Sequence, residues 1–372
     1  MTIKKFDEVF EDKTKCGTKI KTDEYHASGA HLIVDQGQAK VAGYTDLEQG
    51  LFEDVPAVIF GDHTRVIKYI EEPFFLGADG VKVLKSKLPE ANYKYLYYAL
   101  KHASIPNTGY NRHFKWLKEI QIAYPDTAEQ ASVVQVLDTV DAIIEARQCE
   151  LQRLDELVKA RFVEMFGNPF TESSFEEKKL MEISTSIADG SNVDKAYYAD
   201  NGDILFLRIQ NVWFNEFRLD DSVFISDEVN RQYFDTSLHH GDLLITKIGR
   251  YYTSDSSLGR VSVYLGEDNR ANYSNNIMRV RLAEGIHSEF VNALMNLDDY
   301  NKHIRRVSVG GTDKRALSKA IIGDLPIIVP PYALQMQFVD FVHQVDKSKV
   351  VVQGALDKAQ HLFDSLMQQY FG

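Results

Sequence analysis

The sequence predicts an α+β protein: two mixed, strand-rich segments, each followed by one long helix, with the two helices packing as an antiparallel coiled coil. Three observations carry this expectation. A stretch in the middle of the chain recurs at its end, both copies keep an unbroken helical period, and the segments before them hold short runs of branched and aromatic residues between turn formers.

The repeat is the organising feature. Residues 125–167 can be laid on 330–372 at a constant offset of 205 without a gap, and eleven of the 43 positions are identical, among them Pro125/Pro330, Gln130/Gln335, Val140/Val345, Asp141/Asp346, Leu151/Leu356 and Gly167/Gly372. In the first copy Val133, Leu137, Val140, Ile144, Arg147, Leu151, Leu154, Val158, Arg161 and Met165 step by four and three; in the second Phe338, Val342, Val345, Lys349, Val352, Leu356, Ala359, Phe363, Leu366 and Tyr370 do the same. That spacing keeps a seam on one side of a helix. Each run starts just after a proline, contains none, and ends at a glycine suited to a left-handed cap, so each helix is about 36 to 40 residues and roughly 55 to 60 Å long. A helix this long cannot bury its stripe in one small domain, and pairing of the copies is the economical solution.

The intervening segments read differently. Ala57–Phe60, Val81–Leu84, Ile204–Ile209, Leu243–Ile248, Val261–Leu265 and Ile277–Leu282 predict short strands, and Tyr93–Ala103 and Ser288–Asn296 predict short helices. The boundaries are 1–124 and 168–329 for the mixed domains and 125–167 and 330–372 for the helices. At 372 residues and 44% apolar content the chain is long enough for two cores.

Composition excludes several classes. Cys16 and Cys149 lie far apart without metal-ligand spacing, which argues against a disulfide framework or a zinc site, and the histidines, His239 and His240 included, lack ligand spacing. Residues 1–12 carry no apolar core with basic flanks and no run approaches the ~18 apolar residues of a membrane helix, so the expectation is a soluble cytoplasmic protein with no membrane partner. The balance of 42 Lys+Arg against 54 Asp+Glu, a net charge of -12, counts against an indiscriminate nucleic-acid binder. Locally the balance reverses: between residues 302 and 319 six cations face one carboxylate, Asp313. Charge acts over about 10 Å, so that segment matters more than the total.

The junctions between domain and helix carry a resemblance. The second closes with Gly310-Gly311-Thr312-Asp313-Lys314-Arg315-Ala316-Leu317, Leu325-Pro326-Ile327-Ile328-Val329-Pro330-Pro331 and Gln335; the first with Gly109-Tyr110-Asn111-Arg112-His113-Phe114, Ile120-Gln121-Ile122-Ala123-Tyr124-Pro125 and Gln130. Upstream stand Leu207-Arg208-Ile209-Gln210-Asn211-Val212 and Gly241-Asp242-Leu243-Leu244-Ile245 in one half, Asp35-Gln36-Gly37-Gln38, Gly43-Tyr44 and Gly61-Asp62-His63 in the other. This succession resembles the type I restriction-modification specificity (S) subunit, which carries a target-recognition domain and a helix twice. The first half departs from the second by having Val55-Pro56-Ala57-Val58-Ile59 where the Gly-Asp-Leu-Leu strand stands, so roles cannot be copied between halves.

The resemblance implies a non-catalytic subunit that reads a bipartite, asymmetric double-stranded DNA target. Its helices would set the spacing of the half-sites and dock two adenine methyltransferase (M) subunits, through which translocating nuclease (R) subunits join. It implies no cofactor in this chain, with S-adenosylmethionine, ATP and Mg in the partner subunits. Two other classes stay open at this point: a coiled-coil scaffold that never touches DNA, and an enzyme with its own nuclease or methyl-transfer site. For the latter, Asn168-Pro169-Phe170 has one proline where methyltransferases have two and reads as a helix stop, and no catalytic residue is assigned.

Base reading needs paired donors and acceptors, so Arg, Lys, Asn and Gln in loops are the candidates. In the second half these are Arg208, Gln210, Asn211, Lys247, Arg250, Asn275, Asn276, Lys314 and Arg315, the last two beside a Gly-Gly turn whose amides suit a phosphate. In the first half they are Lys19, Lys21, Gln36, Gln38, His63, Arg65, Tyr110, Arg112 and His113.

Overall fold

The computed structural model describes residues 2–77, 79–109, 111–171, 173–253 and 255–372. The chain forms two compact units, Met1–Cys149 with Val352–Gly372, and Glu150–Val351. The division passes through both long helices, Thr127–Phe166 and Tyr332–Phe371, each of 40 residues.

The helix ends follow local chemistry. Asp126 caps the first helix, its Oδ1 accepting the Glu129 N–H at 2.8 Å. Gly167, at φ 74, closes it with an N–H to the Val163 carbonyl. Just inside each start a buried glutamine turns back: Gln130 Nε2 donates to the Pro125 carbonyl at 2.9 Å, and Gln335 Nε2 to the Pro330 carbonyl at 2.9 Å. The Pro-to-Gln identity in the repeat is therefore a hydrogen bond made twice.

The predicted seam is largely the buried one. In the first unit Val133, Leu137, Val140 and Ile144 share a core with Ala359, Phe363 and Met367. In the second, Phe162 and Phe166 pack around Phe338, with ring centroids 5.3 and 5.7 Å away, and Lys349 Nζ pairs with Asp155 at 2.6 Å. Ascending one helix from 155 to 166 means descending the other from 349 to 338, so the pairing is antiparallel. One correction concerns the end of the first seam: Phe162 and Phe166 are buried rather than Arg161 and Met165, because Phe290 of the mixed domain packs there as well as Phe338.

The first unit has a two-stranded ribbon, Thr2–Lys5 with Gln121–Tyr124. Its four-stranded antiparallel sheet runs Phe10–Asp12, Val81–Ser86, Ala57–Gly61, Ile67–Ile70. A three-stranded sheet has His31–Val34 between antiparallel Gly43–Thr45 and parallel Phe74–Leu76. The second unit repeats this wiring: the ribbon Glu177–Lys179 with Pro326–Ile328; the sheet Ser184–Asp189, Ile277–Leu282, Leu243–Thr246, Val261–Val263; and Ile204–Leu207 between Val223–Ile225 and Ala271–Tyr273. Ala57–Gly61 and Leu243–Thr246 thus hold the same inner place, and both are buried along their whole length, as strands covered on both faces must be. The Gly-Asp step before the latter is structural: Gly241 has φ 86, and buried Asp242 receives Arg281 Nε and Nη2 at 2.8 Å each.

Three strands end earlier than expected. Ile204–Leu207 stops where the Asn211 side chain accepts the Arg208 N–H at 2.9 Å and closes a 3-10 turn. The run from Leu243 breaks at Lys247, after which Ile248–Arg250 changes partner to Lys314–Ala316. The third, Val261–Val263, is shorter by two residues. Lys314–Ala316 also pairs Val309–Gly310, giving the second unit a three-stranded sheet without a counterpart among the described residues of the first.

Candidate nucleic-acid interface

In the second unit a cleft of about 600 Å³ opens between the turn after Ile204–Leu207 and the additional sheet; Gln210, Trp213, Arg250, Arg260, Asn276 and Lys314 are among its lining residues. Four of these are sequence candidates from four separated segments. Arg250 and Lys314 face each other in the ladder of their sheet, and both are exposed. Among the described residues Arg250 pairs with Asp313, at 3.9 Å.

Sequence reasoning missed the floor of this cleft. Trp213 lies between two guanidinium groups, Arg218 at 3.4 Å and Arg260 at 3.6 Å from its centroid, and its Nε1 donates to the Gln210 carbonyl at 2.9 Å. Arg260 is buried, and its donors end on the carbonyls of Ser256, Val212 and Asp255. Burial, reinforced by the nearby Arg218 charge, pushes its pKa down. The Asp255 carboxylate, which also lines the cleft, opposes the Arg218 effect and offsets part of the charge of the two guanidinium groups.

One carboxylate organises three candidates at the rim. Asp221 Oδ2 accepts Gln210 Nε2 at 3.2 Å and pairs with Arg208 at 3.3 Å, while its Oδ1 accepts Asn211 Nδ2 at 3.1 Å. Asn211 is fully buried, so the expectation that it offers a surface contact does not hold; it holds the turn that displays Gln210. Lys247 is paired with Asp189 and its side chain is mostly covered. Asn275 and Asn276 are half-buried, their backbones bonded to Ser191 and Lys247. Arg315 donates to the Ser308 carbonyl at 3.4 Å and stacks on Tyr251 at 3.9 Å.

In the first unit the candidates gather around Asp79 instead. Lys19 Nζ bonds its Oδ1 at 2.7 Å, and this bond, with the charges of Arg112 and His63 beyond it, holds the Asp79 carboxyl below its ordinary range. Gln36 braces the group: Nε2 donates to the Asp79 carbonyl at 3.1 Å and Oε1 accepts the His63 N–H at 3.1 Å. Arg112, Lys21 and Gln38 are exposed. Arg65, at φ 63, sends Nη1 to the Ile105 carbonyl at 3.2 Å. His113 corrects another expectation. It is fully buried, with Nδ1 3.0 Å from the Asp62 carbonyl and its ring on Trp116, so it fixes the loop from inside. Tyr110 lies outside the described residues.

Among the described residues no group of three or more His, Cys, Asp or Glu is placed to hold a metal ion, no helix is long and apolar enough to cross a membrane, and both cysteines are free and exposed.

Residues 1–155 match the family model of the type I restriction modification DNA specificity domain. The fold is similar to that of a type I restriction-modification system S subunit from M. genitalium, with 16% identity, a TM-score of 0.56, and 100% of this chain and 96% of that chain covered. It is also similar to a chain from a structure of the complex assembly and conformational transition of the type I R-M system, at 14% identity and a TM-score of 0.53, covering 100% of this chain and 97% of that one. At these identities the structural likeness speaks for the fold alone.

Proposed function

With a type I restriction modification DNA specificity domain matched over residues 1–155, we propose that this chain recognises a bipartite, asymmetric DNA target as the specificity subunit of a type I complex. The observation that carries this reading is a shared frame with unlike loops. Both units have the same ribbon and sheet wiring, yet one gathers its cations around Asp79 and the other around a cleft floored by Trp213. Two readers of one frame and different loops suit two dissimilar half-sites.

The helices set the spacing of the half-sites and dock two adenine methyltransferase subunits, which recruit translocating nuclease subunits. Apolar side chains left open on the helices, Ile143, Leu157, Val163, Val350, Val351 and Leu362, support docking there. S-adenosylmethionine, ATP and Mg belong to those partners, and the place of action is the cytoplasm, where the DNA is.

The test uses the chain assembled with its methyltransferase partners. Replacing Lys314 and Arg315 with Ala is expected to cost about 1–3 kcal/mol of DNA affinity and to lower the salt slope by about 1 for each phosphate no longer neutralised. Unchanged affinity and slope would refute the reading. Turnover of DNA by the chain alone would refute the non-catalytic assignment, and methylome sequencing of a host carrying the full complex gives the target itself.

A further inference from the structure

The strand Ile248–Arg250 runs out of the sheet into Tyr251 and Tyr252, which stand in the chain between Arg250 and Thr253, both of them lining the cleft. Tyr251 is held from three sides. Its N–H donates to the Asp313 carbonyl at 2.8 Å, its carbonyl accepts Arg305 Nη1 at 2.7 Å, and its ring lies under the Arg315 guanidinium. Arg305 also reaches the Thr253 carbonyl at 3.1 Å, bracing the chain on the far side of Tyr252. Tyr252 rests edge-on against Tyr251, with ring centroids 4.8 Å apart and planes at 89°, and is 75% exposed.

This combination is unusual for a solvated surface residue. A ring three-quarters open to water gains little for folding beyond its edge-on contact with Tyr251, and here the backbone on both sides of it is held. Cations outnumber acids around it: Arg250 precedes the Tyr pair, Lys314 faces Arg250 in the ladder and Arg315 covers Tyr251, with the Asp313 carboxylate 3.9 Å from Arg250. An open aromatic face beside cations matches a nucleobase with its phosphates, because every base has a π-face and phosphates sit within reach of it. An apolar protein partner would leave those cations facing apolar surface.

We propose that Tyr252 stacks on a nucleobase of the bound duplex, entering a base step beside the cleft while Arg250 and Lys314 hold the flanking phosphates. The inference rests on the DNA-recognition reading above and adds to it a local distortion of the duplex. The energy of such a contact is stacking, so it releases no counterions and leaves the salt slope alone, unlike removal of the Lys314 charge.

The experiment uses the full complex and a duplex carrying the site that methylome sequencing assigns. Fluorescent analogues, 2-aminopurine for adenine or pyrrolocytosine for cytosine, replace one base at a time, leaving out the methylated adenines, which the methyltransferase subunits extrude themselves. The expected result is a rise in fluorescence at one or two adjacent positions on binding. Tyr252→Ala should abolish the rise and weaken binding on the order of tenfold at unchanged salt slope, while Tyr252→Phe keeps both. Equal affinity and an equal rise with Tyr252→Ala would overturn the proposal, as would the absence of any rise with wild-type complex bound. A wild-type complex that binds no duplex would overturn the DNA reading as well, and that failure appears before any variant is compared.

Discussion

The two units differ most in what they add to a common frame. Both open with a lysine pair and an acid-bonded turn, Lys4-Lys5-Phe6-Asp7-Glu8-Val9 and Lys178-Lys179-Leu180-Met181-Glu182-Ile183, in which the second lysine N–H donates to the glutamate at 2.6 and 2.7 Å. Both close on a proline and an inward glutamine. Between those fixed points the second unit inserts the sheet that carries Arg250 and Lys314, and the described residues of the first form no equivalent. Apolar burial and backbone pairing preserve the frame, because a change there exposes unpaired groups, whereas loop side chains change at little cost to folding.

The aromatic content of the helix pairing gives the largest expected contrast. Phe338 is fully buried against Phe162, Phe166 and Phe290, and its counterpart at the repeat offset is Val133. Phe338→Ala removes a whole ring from that cluster and is expected to destabilise the second unit by about 3–5 kcal/mol, while Val133→Ala should cost the first about 2 kcal/mol. Hydrogen exchange read separately on the two units checks this; equal destabilisation would mean that the seam, not the aromatic cluster, sets the stability of both.

Much of that seam was legible in the sequence, and the reason is its period. Steps of four and three over 40 residues leave little choice of structure, and proline and glycine mark the ends. The lysine-pair repeat was not legible in the same way, since its offset, Lys4 to Lys178, differs from that of the helices and the loops between them vary in length. Nor does a run such as Leu243–Ile248 announce that the chain changes partner at Lys247, because apolar content is the same for either sheet. The candidate interface divides likewise. Residue type pointed to Gln210, Arg250, Asn276 and Lys314, but the carboxylates that gather the cations, Asp79 and Asp221, and the rings Trp213 and Tyr252 depend on segments that meet only in three dimensions.

A smaller contrast lies in the paired glutamines. Gln335 Nε2 also reaches the Gly285 carbonyl at 3.3 Å, and its Oε1 accepts the His287 N–H at 2.8 Å; the Oε1 of Gln130 has no hydrogen-bond partner among the described residues. Gln335→Ala therefore strands more buried groups and is expected to cost about 2–3 kcal/mol, against about 1 kcal/mol for Gln130→Ala. Denaturant melts of both variants decide the order. Should Gln130→Ala prove the more damaging, the shared bond to proline carries both junctions and the extra bonds of Gln335 contribute little.

The weakest expected effect is acid sensitivity of the second junction. Burial lowers the pKa of His287 from 6.5, and His343 adds to this while Glu289 and Asp340 oppose it; burial and then Arg306 lower that of His303, which stacks on Phe170. A histidine with a depressed folded pKa takes up its proton more readily in the unfolded chain. The stability it contributes is present above its ordinary value and lost as pH falls through that value towards the folded one. Protection from exchange around Gly285 and Gln335 should therefore decline below about pH 6.5. His287→Gln should flatten that decline, because a side-chain amide keeps a polar group there without a proton to gain. A decline of the same depth in the variant would assign the acid sensitivity to His303 or to carboxylates of the unit, and the difference between the glutamine junctions would then be one of hydrogen bonding alone.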